Sequence, residues 1–251
     1  MIRWIPLLAW MALAGCDTSP ATPMPADSPD ETVEVDPAHR RMGRMIAYWS
    51  MDDLRVRNAV TRRPAQSVSG VEPTTDRRGR RGKALAFTGT GKVVVGDILN
   101  SLQPPFTMTA WVRLDRDSIG AILNSDATPP GETSYAGFGL QVTNGQLRTH
   151  LTDGLGYGPY HRVSKEAVAP MDVGTWYHVA AVVRGDRDYT LYVNGNDVGG
   201  IYTGYGGPLA HNEWPLVIGN GLVGALDDVA IYSRALTQRV VRQLLGNVRR
   251  R

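Results

Sequence analysis

The chain has 251 residues, of which 42% are hydrophobic and 20% are charged, which is the usage of an ordinary globular protein. Its single cysteine excludes an intramolecular disulfide, and its length suits one β-sandwich without requiring a second domain. The formal charge of +3 conceals an asymmetry, because residues 17–36 contain no Lys or Arg and six acids: Asp17, Asp27, Asp30, Glu31, Glu34 and Asp36. The remainder is basic, which would allow contact with acidic polymers or lipid headgroups, but we interpret it as a solubility feature.

The first sixteen residues have the layout of a secretory signal. One cation, Arg3, precedes an apolar run over residues 4–13, and small residues follow before Cys16. The run is shorter than the ~20 residues that cross a bilayer. Leu13-Ala14-Gly15-Cys16 resembles the bacterial lipobox, which implies cleavage before Cys16 and acylation of its thiol. We therefore predict a signal peptide over residues 1–15 and a lipid anchor at Cys16; an ordinary secreted protein is the alternative.

The segment that follows the cysteine is predicted to be a tether. Residues 16–44 are rich in proline and acids and poor in apolar side chains, which is typical of a disordered, semi-extended spacer. Asp17 directly follows Cys16, and an Asp at this position resembles an inner-membrane retention signal. We expect the protein in the bacterial cell envelope, on the inner membrane and facing the periplasm, with nucleic acid excluded as a partner by export.

From residue 45 onward the pattern predicts short strands separated by Gly, Asn and Asp. Phe106–Leu114 alternates apolar and polar residues with a period of two, which indicates a half-buried strand. Residues 176–183 are apolar on both faces, which is typical of a central strand, and a turn joins them to residues 189–193 as a hairpin. Further strands are predicted at residues 45–50, 84–87, 93–95, 121–123, 138–142, 146–150, 216–219 and 224–232.

One helix is predicted near the end of the chain. Thr237 can cap a short helix that ends near Leu245, with Gly246 just beyond it. Many short strands with regular turns and one helix predict a sandwich or a barrel.

Six segments, in order, resemble the laminin-G-like (concanavalin A-like lectin/glucanase) jelly-roll family. They include Ala110-Trp111-Val112 and Leu191-Tyr192-Val193-Asn194-Gly195 and lie at residues 48–53, 82–87, 106–112, 176–180, 191–195 and 224–237. The resemblance implies an all-β, two-sheet antiparallel jelly-roll sandwich over residues 45–246, with one short C-terminal helix. Residues 247–251 are then a basic tail.

The resemblance leaves function open, because members bind glycans or proteins, space other domains, or hydrolyse glycosides. Hydrolysis needs two carboxylates across a cleft, and the closely spaced Glu-x-Asp-x-x-Glu pattern of the related glucanases is absent. Asp186 and Asp188 share a spacing of two but lie in the predicted hairpin turn. The sequence has neither a Gly-x-Ser-x-Gly elbow nor paired histidines at zinc spacing, although His150, His161 and His211 could meet in space. We predict a protein that is not an enzyme.

Calcium is the metal that the acids favour, because hard cations bind carboxylate and carbonyl oxygens. Asp52 and Asp53 end the first strand, and Asp227 and Asp228 lie in the last one. First and last strands often neighbour each other in a jelly roll, and family members often carry a structural calcium there. The resemblance implies a calcium site at these four residues; the alternative is that they cap turns and strand ends.

Two loops rich in glycine and aromatic residues, over residues 153–161 and 199–214, are the predicted ligand surface. Aromatic faces stack on sugar rings, and binding sites on sandwiches usually lie in such loops. The predicted residues are Tyr157, Tyr160, Tyr202, Tyr205 and Trp214. The alternative is that these rings only pack the loops against the sheet.

Arginines concentrate in one further loop, over residues 77–83, which either contacts an anionic surface or is simply solvated. Taken together, the sequence predicts a non-catalytic, lipid-anchored envelope module that binds a polysaccharide or glycoprotein. The alternatives are a carbohydrate-active hydrolase built from scattered acids, and a structural or adhesion module that binds protein partners.

Overall fold

The alternating pattern from residue 45 onward folds almost entirely as antiparallel β-structure. The computed structural model describes residues 44–99, 101–117, 119–126, 131 and 133–246. The strands are β1 Met45–Trp49, β2 Ser67–Thr74, β3 Ala84–Gly96, β4 Phe106–Leu114, β5 Gly120–Asn124, β6 Ala136–Thr143, β7 Gln146–Asp153, β8 Arg162–Glu166, β9 Trp176–Gly185, β10 Asp188–Val193, β11 Asn196–Asp197, β12 Ile201–Thr203, β13 Leu216–Ile218 and β14 Val223–Tyr232. One helix, α1, spans Gln238–Leu244. The predicted all-β jelly-roll fold is confirmed.

The strands form one continuous sheet that curls over itself. Its order is β11-β10-β9-β4-β14-β3-β13-β5-β6-β7-β8-β12, with β1 also paired to β14 and β2 to β3. Side chains from both halves meet in one apolar core, in which Met108 and Leu226 from one half join Leu140 and Leu151 from the other. The two halves therefore act as the two layers of a sandwich.

Strand β3 joins the layers. Its first part, up to Thr88, pairs with β14, whereas Val93–Gly96 pairs with β13 in the other layer. The sequence predicted two strands here, because the glycines at 89 and 91 look like a turn. The strand instead bends and stays continuous, because β2 pairs along both parts with a shift of register at Ser69 and Val71.

Three short strands were missed by the sequence analysis. β2 is a mostly exposed edge strand without apolar alternation, and β8 and β12 carry mixed polar residues. β12 lies within the glycine-rich segment that the sequence predicts to be a loop. β2 and β12 are at edges of the sheet, where a strand needs one apolar face at most, so their sequences carry a weak signal.

A second apolar cluster lies on the outer side of the β1-β14-β4-β9-β10 layer. Helix α1 covers this side with Val241 and Leu244, which pack with Tyr48 and Tyr232. The predicted cap is confirmed, because the Thr237 hydroxyl accepts a hydrogen bond from the Val240 amide. A loop over residues 54–64 also packs onto this cluster.

Within the described ranges, no helix has the length and apolarity needed to cross a bilayer. The predicted signal peptide, Cys16, nearly all of the predicted tether and the basic tail at 247–251 lie outside the described residues.

Candidate functional site

The two predicted aromatic loops lie side by side at one end of the β6-β7-β8 half of the sheet. The Tyr205 amide donates to the Pro159 carbonyl at 2.6 Å, and the Ala210 amide donates to the Thr152 carbonyl at 3.0 Å. A third segment joins them, because the Gly154 amide donates to the Tyr135 carbonyl at 2.9 Å. Three stretches of chain distant in sequence thus form one surface.

Asp153 clamps these loops together. Its carboxylate accepts from the Leu155 and Gly207 amides, each at 3.0 Å, and lies 3.2 Å from Nδ1 of His161. Burial acts to raise the pKa of Asp153, but the two amides and His161 outweigh it and lower the pKa below its usual range. An ionised Asp153 therefore holds one loop against the other.

Three of the five predicted aromatic residues present exposed rings. The rings of Tyr160 and Tyr205 stack at 6.1 Å between centroids with an interplanar angle of 26°, and they are 73% and 74% exposed. Tyr157 is 44% exposed and meets the Tyr135 ring edge-on at 4.5 Å. These tyrosines form an aromatic platform on loops that Asp153 fixes.

The other two predicted residues support the platform instead. Tyr202 is half-buried, packs against the main core, and its hydroxyl accepts a 2.6 Å hydrogen bond from the Tyr189 amide. Trp214 is also half-buried, and its amide donates to the side-chain oxygen of Asn212. Their rings are therefore less available to a ligand than those of the platform.

Sequence reasoning missed three residues beside the platform. Arg187 lies 6.0 Å from the Tyr205 ring centroid and donates to the Gly204 carbonyl at 2.8 Å. Arg162 lies 4.4 Å from the ring centroid of Tyr135. Arg187 belongs to a hairpin turn, Tyr135 precedes β6 and Arg162 begins β8, so no local pattern links them to the platform.

A buried ionic cluster lies under Arg162. One oxygen of Asp126 is 2.7 Å from Nε2 of His150 and 2.8 Å from the Arg162 guanidinium. Burial acts to raise the pKa of Asp126, but His150 and Arg162 outweigh it and lower the pKa to about 2. His150 is only 2% exposed and lies where a side chain at Gly139 would be. We assign this cluster a supporting role, since Asp126 and His150 are buried and closed to a large ligand.

The three histidines that could have met have separate partners. His150 pairs with Asp126, His161 pairs with Asp153, and His211 lies 3.3 Å from the side-chain nitrogen of Gln103. No group of three or more His, Cys, Asp or Glu side chains suited to a metal occurs among the described residues.

Two of the four acids of the predicted calcium site, Asp227 and Asp228, contact an arginine. Arg77 lies 2.5 Å from one oxygen of Asp227 and 2.8 Å from one of Asp228, and its guanidinium is 4.5 Å from the Trp111 ring centroid. Asp228 has a left-handed φ of 49° at an irregularity of β14 and accepts a hydrogen bond from the Tyr48 hydroxyl.

The other predicted pair, Asp52 and Asp53, has different contacts. Asp53 accepts the amides of Arg55 and Val56, and Asp52 is half-buried nearby in the chain. Calcium binding by Asp52, Asp53, Asp227 and Asp228 stays a prediction.

The pair of buried acids shares one guanidinium, which leaves one negative charge uncompensated within this group when both ionise. Burial and the neighbouring Asp228 carboxylate raise the pKa of Asp227 well above its usual range, although Arg77 acts to lower it. The Asp227–Asp228 pair therefore takes up a proton more readily than a free aspartate.

Comparison with known proteins agrees with this fold. The model of the concanavalin A-like lectin/glucanases superfamily, of the laminin-G type, matches residues 87–242. Since the match covers more than half of the chain, the protein belongs to this family. No curated protein sequence matches the chain.

Solved structures with a similar fold come from several organisms. The binding domain of Paraclostridial mosquitocidal protein 1 is 15% identical at a TM-score of 0.62, over 81% of this chain and 52% of that one. Domain 4 of AbnA, a GH43 extracellular arabinanase from Geobacillus stearothermophilus in complex with arabinotriose, is 16% identical at a TM-score of 0.58, over 81% and 99%. Trypanosoma rangeli sialidase is 20% identical at a TM-score of 0.55, over 80% and 32%. The chain thus spans about half of the first and a third of the last, and these identities show a shared fold.

Removing the buried arginine tests its structural role. We expect Arg77→Met to lower the free energy of unfolding by about 3–5 kcal/mol, because it leaves two buried carboxylates without their cation. Urea unfolding at neutral pH measures this loss. The control is Arg81→Met, at an exposed position of the same loop, where a change within about 0.5 kcal/mol is expected. Equal effects of the two substitutions would contradict the assignment.

The raised pKa of Asp227 predicts a pH dependence of stability. The folded protein binds this proton more tightly than the unfolded chain, whose Asp pKa is near 3.8. The stabilising contribution is therefore complete below that value and is lost as the pH rises toward the folded pKa. Asp227→Asn cannot ionise, so its stability relative to the parent should increase with pH from about pH 4 upward. Urea unfolding across this range measures it; a constant difference, like that expected for the exposed Asp97→Asn, would refute it.

Proposed function

We propose that this protein is a non-catalytic module of the bacterial envelope that binds carbohydrate on the platform formed by Tyr157, Tyr160 and Tyr205. The observation that carries the proposal is the stacked, exposed pair Tyr160 and Tyr205, held by cross-linked loops. Large exposed aromatic rings keep apolar surface in contact with water. A ligand that covers the rings removes this surface from water, which is favourable. Sugar rings present flat C–H faces to such a surface.

Polar groups beside the platform can orient a bound glycan through hydrogen bonds. Arg187 is exposed and uses one nitrogen on the Gly204 carbonyl, so it keeps further N–H donors for a ligand. His161 is partly exposed at the edge of the same loops. Hydroxyl and carboxylate groups of a glycan can accept hydrogen bonds from these donors while its ring stacks on the tyrosines. The loops are fixed before binding, which lowers the entropy cost of association.

The family and the fold support this class of ligand. The chain belongs to the lectin/glucanase superfamily, and a structural neighbour that it covers over almost its full length was solved with arabinotriose. The low identity means that the neighbour's ligand does not transfer to this chain. The chemistry of the platform supports carbohydrate as the ligand class.

The state of two carboxylates near the platform, Asp153 and Asp126, supports a non-catalytic role. Glycoside hydrolysis needs an acid and a second carboxylate facing one cleft. Near the platform, Asp153 is engaged by two amides and His161, and Asp126 is buried against His150 and Arg162. Neither is arranged to donate a proton to a glycosidic oxygen above the rings.

The envelope location rests on the amino-terminal sequence. Cys16 follows Leu13-Ala14-Gly15 after a short apolar run, and Asp17 comes next. Acyl chains on Cys16 would attach the module to the membrane, because each buried methylene contributes about 0.8 kcal/mol. The acidic, proline-rich residues up to 44 would give the module reach.

Removing the platform should abolish glycan binding. We expect the double variant Tyr160→Ala, Tyr205→Ala to bind its best glycan roughly 10- to 100-fold more weakly, since each ring contributes on the order of 1 kcal/mol of contact. A glycan array identifies the ligand and calorimetry measures the affinity, each with and without calcium. The matched control is Ile201→Ala, which removes an exposed apolar side chain nearby and should change little. Unchanged binding by the double variant would exclude this surface.

The anchor is tested separately. We expect Cys16→Ser, expressed in a bacterium with lipoprotein processing, to lose incorporation of labelled fatty acid and to leave the membrane fraction. Wild-type protein should carry the label and sediment with inner membranes. If the wild-type protein incorporates no label, the chain is an ordinary exported protein and the anchor is wrong.

A further inference from the structure

The positive charge of the folded part is larger than the whole-chain value suggests. Leaving out the single cation of residues 1–16 and the six acids of residues 17–36 raises the formal charge from +3 to +8 for the rest of the chain. The loop over residues 77–83 does not present all of its share, because Arg77 is buried with Asp227 and Arg80 pairs with Asp76. Other parts of the surface therefore carry much of the exposed positive charge.

Two segments that cover one outer layer hold arginines and no acids. They are the loop over residues 54–64 and the stretch over residues 233–246, which includes α1. With Arg44, their exposed cations form what we call the arginine face: Arg44, Arg57, Arg62, Arg63, Arg234, Arg239 and Arg242.

These segments lie together on the fold. The loop is attached to β1 because the Ala59 amide donates to the Tyr48 carbonyl at 2.9 Å. Helix α1 and the loop both pack onto the apolar cluster that contains Tyr48 and Tyr232. Arg44 joins them, since its carbonyl accepts the Ser233 amide at 3.1 Å. The arginine face therefore belongs to one outer layer of the sheet, whereas the tyrosine platform extends from the other.

None of these seven arginines lies within ion-pair distance of a carboxylate among the described residues. Within the described part of the chain, two of the seven donate a hydrogen bond from the side chain: Arg57 donates to the Arg62 carbonyl, and Arg242 donates to Gly195 and Asn196. Elsewhere on the surface, Arg113 and Arg184 do pair with neighbouring acids. A concentration of unpaired guanidinium groups creates a field that attracts anions, and guanidinium binds phosphate through paired hydrogen bonds.

We propose that the arginine face docks on the surface of a bilayer that contains anionic phospholipid. The charges are spread over a helix, a loop and the entry of the chain, which suits a broad charged plane. The chain also enters the domain at this face, at Arg44, 28 residues after Cys16. Docking through this face leaves the tyrosine platform, on the other layer, available to its ligand. The attraction between these charges and an anionic surface depends neither on glycan binding nor on acylation.

Partition into vesicles tests the proposal without the lipid anchor. The protein used runs from Asp17 to Arg251, which retains both apolar clusters and every described strand. We expect it to sediment with vesicles of equal parts phosphatidylglycerol and phosphatidylethanolamine, and not with phosphatidylcholine vesicles. Replacing three arginines, by Arg62→Gln, Arg63→Gln and Arg239→Gln, should weaken the partition about 100-fold, since each cation contributes roughly fivefold. Added salt should weaken it further for the parent.

The matched control removes the same charge from other parts of the surface. It carries Arg81→Gln, Lys92→Gln and Arg116→Gln, all at exposed positions, and should retain most of the partition. Equal loss in both triple variants, or no partition of the parent into anionic vesicles, overturns the proposal. Binding to soluble polygalacturonate but not to vesicles also overturns it, because the partner is then an acidic polymer. The Tyr160→Ala, Tyr205→Ala variant should partition like the parent, which separates failure here from failure of glycan binding.

Discussion

The ion cluster of Arg77 with Asp227 and Asp228 lies at the point where strand β14 changes its pairing partner. Strand β14 pairs with β3 up to Leu226 and with β1 from Val229 onward, and the irregularity between these two pairings contains both acids. An extra residue in one strand bends it and leaves polar groups without ladder partners. Arg77, which follows β2, supplies the missing charge and connects the β2-β3 edge to the centre of the layer.

The same principle, a buried charge that joins distant segments, organises the other layer. Asp153 holds the two loops that carry Tyr160 and Tyr205, and Asp126 joins the end of β5 to β7 and β8 through His150 and Arg162. Each carboxylate is satisfied by several donors, which makes a buried ion tolerable. As a result, the exposed tyrosines stand on a support that needs no ligand to form. A surface that is ordered before a ligand arrives loses less conformational entropy on binding than one that must close around the ligand.

Two surfaces of opposite character follow from the two layers. One is aromatic with a few basic groups at its edge, and the other is rich in arginine and lies where the chain enters the domain. Among the described residues, the segments that form the second surface contain no acids, and none of its arginines has a carboxylate within ion-pair distance. A modest net charge for the whole chain is therefore compatible with a strongly basic face. Both proposals concern separate surfaces and can fail separately.

Local sequence determined the features that repeat along the chain. Alternation indicated β4, an apolar run indicated β9, and Thr237 with Gly246 indicated the ends of α1, because residues close together in the chain determine strand faces and helix caps. The sequence also singled out Tyr157, Tyr160 and Tyr205, although it could not separate them from the half-buried Tyr202 and Trp214. Only tertiary structure decided which rings are exposed, which arginine meets Asp227 and Asp228, and that β3 continues through its glycines. These outcomes depend on partners far apart in the chain, such as Arg77 and Asp227, and no local pattern encodes the distance between them.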